Sequence, residues 1–196
     1  MDKKVKILLE DNEVCCIYQY LEKLQDNMNI SISTVTNNEL ASYAQADKFD
    51  DINSIILIGL AYSNIDKITL VKPDYFLEKD ISSMDPLHIY NHREFDFRDK
   101  CLCLTGDSLF NSQMEFLNSS KFTIHDRTGY AIKAICNKKK IPFECIKFVI
   151  PQKDYKVLFK SNVKSVEECF LENREKITGM IEDFYVYISH IEKELL

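Results

Sequence analysis

Ser108 is a candidate nucleophile, because the letters Gly106-Asp107-Ser108-Leu109 follow an apolar stretch. A catalytic serine needs a histidine base, and a carboxylate must orient that histidine. The only late histidine is His190, and Tyr187 stands where an Asp-x-x-His pair would place the carboxylate. Asp85 and His88 have the right spacing but precede the serine. The partners that serine chemistry needs are therefore not in the expected order.

The histidines and cysteines do not follow a metal-binding pattern. His88 and His92 are four residues apart, but the polar run at 91–94 predicts an exposed loop. None of the seven cysteines forms a CxxC pair, and the spacing of Cys101 and Cys103 places both thiols on one face of a strand. We expect no metal, and we interpret the thiols as small core residues of a protein in the reducing cytoplasm.

Composition indicates one globular domain over residues 1–196, with 45% apolar and 29% charged residues. A protein that binds nucleic acid through phosphate contacts is usually basic. The net charge of −6 therefore argues against a nucleic-acid partner. Only 4 glycines are present, which disfavours a glycine-rich phosphate loop. No apolar segment is long enough to span a bilayer, so we expect no membrane partner.

Hydrophobic periodicity predicts an α/β fold, in which strands alternate with helices. The predicted helices begin near residues 12, 126 and 165 and end near 24, 139 and 196. The predicted strands lie at 5–9, 30–35, 54–59, 68–71, 75–77, 101–105 and 143–150. In such folds the functional site lies at the carboxyl ends of the strands.

Several segments in a fixed order carry a family resemblance. The first helix opens with Glu13-Val14, an apolar strand at 55–61 ends in Gly-Leu-Ala, and 104–110 reads Leu-Thr-Gly-Asp-Ser-Leu-Phe. Segment 126–136 reads Asp-Arg-Thr-Gly-Tyr-Ala-Ile-Lys-Ala-Ile-Cys and is followed by Pro142-Phe143. Together they resemble the purine nucleoside phosphorylase and methylthioadenosine/adenosylhomocysteine nucleosidase superfamily, over about residues 5 to 150. The turn at 104–110 resembles the family's Ser/Thr-Gly-Asp-x-Phe motif, which explains Gly-Asp-Ser without an esterase.

The resemblance implies a single-domain, three-layer α/β fold. Its central mixed, barrel-like sheet would be flanked by helices, with a long C-terminal helix. The implied reaction is cleavage of the N-glycosidic bond of a purine nucleoside by water or phosphate, without a cofactor. A nucleoside or nucleobase is the implied small-molecule ligand. A homo-oligomer, most simply a dimer, is also implied, because in the family a neighbouring subunit helps to close the pocket.

The resemblance also assigns roles to individual positions. Glu13 matches the glutamate that positions and activates water, although a carboxylate in a first helical turn also stabilises the helix dipole. Leu109, or its neighbour Phe110, matches the aromatic residue that stacks on the base. The remaining implied substrate-binding positions are Leu60, Ala61, Asp126, Arg127 and Thr128.

Three departures from the family pattern affect the chemistry. Arg127-Thr128 replaces the Met-Glu pair whose glutamate holds the ribose hydroxyls. Ile150-Pro151 stands where Ser-Asp would supply the proton donor for the departing purine. Tyr62-Ser63 replaces a glycine pair beside the pocket, and Leu60 replaces the serine before it. A general acid contributes about 10²–10⁴-fold in rate, so these losses predict impaired catalysis.

Three hypotheses follow. The first is a divergent nucleosidase-fold protein with impaired or absent activity that binds a purine nucleoside or related ligand. The second is an active but atypical purine nucleosidase that uses Glu13, with Asp126 or Asp154 as the replacement acid. The third is a GDSL-like esterase that uses Ser108.

Overall fold

The computed structural model describes eight strands, β1 to β8, four α-helices, α1 to α4, and a short 3₁₀ helix at Cys15–Ile17. The residues described are 4–10, 14–35, 49, 52–63, 68–78, 101–106, 122–151 and 163–194. The strands are β1 Val5–Glu10, β2 Ile30–Val35, β3 Ser54–Ser63, β4 Thr69–Val71, β5 Tyr75–Glu78, β6 Cys101–Thr105, β7 Phe122–Asp126 and β8 Phe143–Pro151. The helices are α1 Tyr18–Met28, α2 Gly129–Lys139, α3 Val163–Glu172 and α4 Arg174–Glu194. None of these helices is both long enough and apolar enough to cross a membrane.

The strands form one mixed eight-stranded sheet with β3 at its centre. Parallel neighbours β1 and β8 pair with β3, and the pairing with β8 continues from Ile55↔Phe143 to Ser63↔Pro151. A single antiparallel bridge, Tyr62↔His125, joins the end of β3 to β7, which continues the sheet through β6 to β5. The carboxyl ends of β1 and β7 are thereby brought to the same region around the middle of β3.

The two faces of the sheet bury separate apolar clusters. On one face, residues such as Leu9, Ile58 and Phe148 pack with Ile177 and Ile181 of α4. On the other face, Leu8, Leu57 and Cys145 pack with Ile132 and Cys136 of α2. β3 is buried along its whole length, as expected for a strand covered on both sides. This arrangement confirms the predicted α/β class with a central mixed sheet, flanking helices and a long final helix.

The element boundaries differ from the prediction at several points. The helix predicted at 12–24 is the 3₁₀ helix Cys15–Ile17 followed by α1 Tyr18–Met28, and β3 continues to Ser63, beyond the predicted end at 59. Residues 122–126 form β7, which the sequence analysis did not predict, and α2 begins at Gly129 instead of at Asp126. The helix predicted from 165 to 196 is two helices that meet at Asn173. Its side-chain amide donates a 2.9 Å hydrogen bond to the carbonyl oxygen of Cys169, and asparagine side chains of this kind compete with the helical pattern.

Candidate functional site: a buried carboxylate–ammonium cluster

A row of three residues crosses the centre of the sheet: Glu10 on β1, Gly59 on β3 and Lys147 on β8. Gly59 is in register with Lys147, and Glu10 follows Leu9, which is in register with Ile58. Two strand spacings, roughly 9–10 Å, separate the outer strands. Because Gly59 has no side chain, the Glu10 carboxyl group extends over its backbone, and a Cβ at position 59 would overlap that group. Glu10 and Lys147 can therefore meet above the central strand.

The Lys147 ammonium group binds two carboxyl groups from different strands. It donates a hydrogen bond to Glu10 Oε1 and lies 2.6 Å from Asp126 Oδ2. Lys147 and the Asp126 side chain are fully buried, and the Glu10 side chain is 1% exposed. Burial by itself lowers the pKa of Lys147, but Asp126 and Glu10 outweigh it and hold that pKa well above its usual value. Lys147 is accordingly a permanent cation in the protein interior.

The loop between β7 and α2 supplies the other polar partners. Asp126 accepts a 2.9 Å hydrogen bond from the Gly129 backbone N–H at the start of α2. It also accepts a hydrogen bond from the Thr105 hydroxyl, which in turn accepts one from the Tyr130 backbone N–H at 2.9 Å. The Thr128 hydroxyl donates to Glu10 Oε1 and does not cap the helix. The amino terminus of α2 therefore lies beside both carboxyl groups, where its dipole favours negative charge.

The protonation of Glu10 is shifted toward neutral pH. Burial and the charge of Asp126 raise its pKa, and the net result with the opposing groups is a rise from 4.5 to about 7. Lys147 lowers this pKa through its charge and its hydrogen bond, and the Leu60 backbone amide makes a smaller lowering contribution. Two carboxyl groups share one ammonium group, so the fully ionised cluster has a net charge of −1 and a proton on Glu10 neutralises it.

One acceptor in this cluster has no partner. Among the described residues, the buried Oε2 of Glu10 receives no hydrogen bond, whereas Oε1 receives two. Oε2 lies over the α-carbon of Gly59, which offers it no N–H or O–H donor. A buried carboxylate oxygen without a donor costs free energy, so it marks a position where a donor is missing.

The structure brings together part of the site that the sequence predicted. Asp126 and Thr128 are buried and belong to the cluster through Lys147 and Glu10. Arg127 lies between them and is half-buried. The Leu60 side chain packs in the apolar cluster on the other face of the sheet, and Ala61 packs against Ile124 and Val149. Their side chains are therefore core residues in this structure.

The other predicted positions lie outside the described residues. These are Glu13, Ser108, Leu109 and Phe110, together with His88, His92 and Asp154. In the described ranges, no group of three or more His, Cys, Asp or Glu side chains has the arrangement of a metal site.

Sequence reasoning missed Glu10 and Lys147, the two residues that define the cluster. Each is a charged residue next to a run of buried apolar residues: Glu10 follows Leu8 and Leu9, and Lys147 stands between Ile146 and Phe148. Charged residues are almost never fully buried unless they are paired. A charged residue beside an apolar run in a predicted strand was therefore the available signal, and Gly59 in the strand at 54–59, which was predicted to be covered on both faces, was the second.

A cavity of about 930 Å³ lies away from the cluster, at the amino end of β8 and between α2 and α4. It includes Lys72, Lys133, Phe143 and Tyr187 in its lining. Lys72 pairs with Glu144 at 2.6 Å, and the Lys133 ammonium lies 5.3 Å from the centroid of the Phe143 ring. Lys72 is thus engaged by Glu144 and Lys133 by an aromatic ring, whereas the fully buried ionised groups lie at the cluster around Lys147.

Comparison with known proteins supports the fold. No protein-family model matches the chain, and no curated protein sequence matches it significantly. The 5′-methylthioadenosine/S-adenosylhomocysteine nucleosidase of Helicobacter pylori with butyl-thio-DADMe-Immucillin-A superposes with a TM-score of 0.62 at 13% identity, covering 91% of this chain and 98% of that chain. Native futalosine hydrolase of Helicobacter pylori strain 26695 gives 0.62 at 16% identity, covering 95% and 98%. The corresponding nucleosidase of Campylobacter jejuni gives 0.58 at 14% identity, with the same coverage.

These likenesses define the class of fold. The chain shares its fold with these nucleosidases and with futalosine hydrolase, which confirms the fold that the sequence resemblance implies. At identities between 13% and 16%, the structures establish the architecture and leave the chemistry to be argued from the residues of this chain.

Proposed function

We propose that this protein binds a purine nucleoside or a related small ligand at the carboxyl ends of its central strands and cleaves it poorly or not at all. Open α/β sheets bind ligands at this end. A similar fold from Helicobacter pylori holds 5′-methylthioadenosine in its active site. The shared fold and the buried polar cluster support a purine nucleoside or a related small molecule as the ligand of this chain.

The main support for impaired catalysis is that one ammonium group engages both carboxyl groups of the cluster. A hydrolase needs a carboxylate free to orient water and an acid free to protonate the departing base. Asp126 is instead bound by Lys147, Thr105 and the amino terminus of α2, and Glu10 is bound through Oε1 by Lys147 and Thr128, so the same ammonium group restrains both carboxyl groups. The proposed catalytic impairment follows from this engagement.

The end of β8 supports the same reading. By resemblance, the proton-donating aspartate would stand at Pro151, which is the last residue of the strand and is buried. Proline has no acidic side chain. Loss of one general acid alone is expected to cost about 10²–10⁴-fold in rate.

A thermal-shift titration coupled to chromatography tests the proposal. We would incubate the protein with methylthioadenosine, adenosylhomocysteine, inosine and adenosine, with and without phosphate, and quantify free purine. At least one compound should raise the melting temperature with concentration, as mass action requires, without rapid base release. The Gly59→Ala variant should lose the shift, and the Gly179→Ala variant, whose added Cβ meets nothing within 4 Å, should keep it.

Two results would contradict the proposal. Absence of any thermal shift with all four compounds would remove the binding function. Base release at ordinary enzymatic turnover, about 1–10³ s⁻¹, would remove the proposed impairment.

The homodimer and the cytoplasmic location remain predictions. Light scattering after size-exclusion chromatography tests the first, with a mass near twice 22.9 kDa expected. A single-chain mass at all concentrations would contradict it.

A further inference from the structure

We propose that Glu10 Oε2 is the acceptor for a hydroxyl group of the bound ligand, and that binding releases a proton from Glu10. This inference rests on the proposed function, since it concerns the same site. It adds a residue that neither the motif pattern nor the comparisons assign. It also identifies the ligand class as one that presents a hydroxyl donor, such as the sugar of a nucleoside.

The two carboxyl oxygens of Glu10 differ in their hydrogen bonds. Glu10 Oε1 already accepts hydrogen bonds from Thr128 and Lys147, so its capacity is largely used. Oε2 has none from the described residues, although it is buried. Glu10 is the last residue of β1, so this acceptor lies at the carboxyl end of that strand and over the middle of β3, on the side from which α/β sheets bind ligands.

The charges around Glu10 also act on its protonation. The groups that act on Glu10 are Lys147 and Cys145 of β8, Asp126 of β7, the Thr128 hydroxyl, and the Leu60 amide of β3. One ammonium group is shared by two carboxyl groups, so the ligand-free cluster gains by keeping a proton on Glu10. A hydroxyl that donates to Oε2 favours the ionised carboxylate and lowers its pKa.

The proton balance follows. In the free protein near pH 7, Glu10 is partly a neutral carboxylic acid. When the ligand binds, the Glu10 O–H proton passes to buffer, and the resulting carboxylate accepts the hydrogen bond from the ligand hydroxyl. No other bond forms or breaks. A pKa of about 7 corresponds to release of roughly half a proton per ligand at pH 7.

Calorimetric titration in two buffers of different ionisation enthalpy measures this release directly. Adenosine, inosine and methylthioadenosine would be titrated at pH 7 into the whole chain. Wild-type protein should release roughly half a proton, and the Kd should rise up to tenfold per pH unit below pH 7. Glu10→Gln should bind with no proton release and a flat pH profile. Glu182→Gln, an exposed glutamate on α4, should behave as wild type.

The hydroxyl is tested with 2′,3′-dideoxyadenosine, which should bind more weakly than adenosine and release no proton. Nucleoside binding without proton release, or release that persists in Glu10→Gln, would overturn this inference and leave the proposed function standing. Equal release with adenosine and its dideoxy analogue, which keeps only the 5′-hydroxyl group, would overturn the assignment to a 2′- or 3′-hydroxyl group of the sugar. Failure of all the nucleosides to bind would overturn the proposed function and, with it, the inference.

Discussion

The Thr128 hydroxyl group donates a hydrogen bond to the carboxyl group of Glu10, which lies 118 residues earlier in the chain. Family resemblance places a sugar-binding carboxylate at position 128, and the threonine there is neutral. The carboxyl group of Glu10 enters from β1 and occupies the adjacent space. A carboxyl group is thus still present beside position 128, but it comes from β1. It is paired with Lys147, which the motif pattern did not reveal.

Removing the ammonium group should strongly destabilise the fold. Lys147→Met leaves two buried carboxyl groups without their shared cation, and breaking a buried ion pair from one side costs about 3–5 kcal/mol. The free energy of unfolding from urea denaturation measures this loss. The matched control is Lys72→Met, because Lys72 is 54% exposed and its pair with Glu144 contributes only about 0.2–1 kcal/mol. A loss as small as that of the control would contradict the buried cluster.

Adding one methyl group at Gly59 should displace Glu10. The new Cβ would overlap the Glu10 carboxyl group, so we expect Gly59→Ala to lower the free energy of unfolding by about 1–3 kcal/mol. Gly179→Ala is the control, because its Cβ meets nothing within 4 Å and alanine is favoured in a helix by about 0.5–1 kcal/mol. The two substitutions should therefore change stability in opposite directions. A neutral Gly59→Ala would show that Glu10 does not lie over this glycine.

Glu10 should make stability fall as pH rises from 4.5 to about 7. Its pKa is raised in the folded protein, so in this window the folded state keeps a proton that the unfolded chain has released. The contribution of Glu10 to the free energy of unfolding decreases by at most about 1.4 kcal/mol per pH unit and is constant above the window. The free energy of unfolding of the wild type minus that of Glu10→Gln, measured by denaturation from pH 5 to pH 8, isolates the contribution of Glu10. A difference that grows with pH would contradict the raised pKa.

The thiols beside the cluster should be unreactive in the folded protein. Burial raises the pKa values of Cys103 and Cys145 well above the usual range, and the thiolate is the reactive form. Iodoacetamide at pH 8 should leave both unmodified in the native state and modify both in guanidinium chloride, as peptide mass mapping would show. Equal labelling rates in the two conditions would be inconsistent with the buried packing.

The sequence predicted the class of fold better than the site. Apolar runs such as that of β3 and the stripe of Ile177, Ile181 and Phe184 report burial directly, so most strands and the final helices were predicted. β7 was missed because Phe-Thr-Ile-His-Asp is short and runs into the polar turn that begins α2. Local patterns indicate burial of a segment without showing which strands become neighbours.

The cluster could not be predicted because it depends on which strands are neighbours in the sheet. Glu10, Gly59 and Lys147 come from three separate parts of the chain, and only the strand register places them in one row. Asp126 and Thr128 were found because a local motif includes them. Their actual partners, Lys147 and Glu10, lie at distances along the chain that no local motif spans. Tertiary contacts of this kind required the structure.

A single-turnover experiment measures directly whether the protein leaves a bound nucleoside intact. Radiolabelled methylthioadenosine would be mixed with an excess of protein, at a concentration where the thermal shift shows saturation, and free adenine would be quantified after acid quenching at increasing times. The account predicts bound, intact nucleoside over many minutes, because Lys147 engages both carboxyl groups of the cluster. Complete release of adenine within seconds would contradict it.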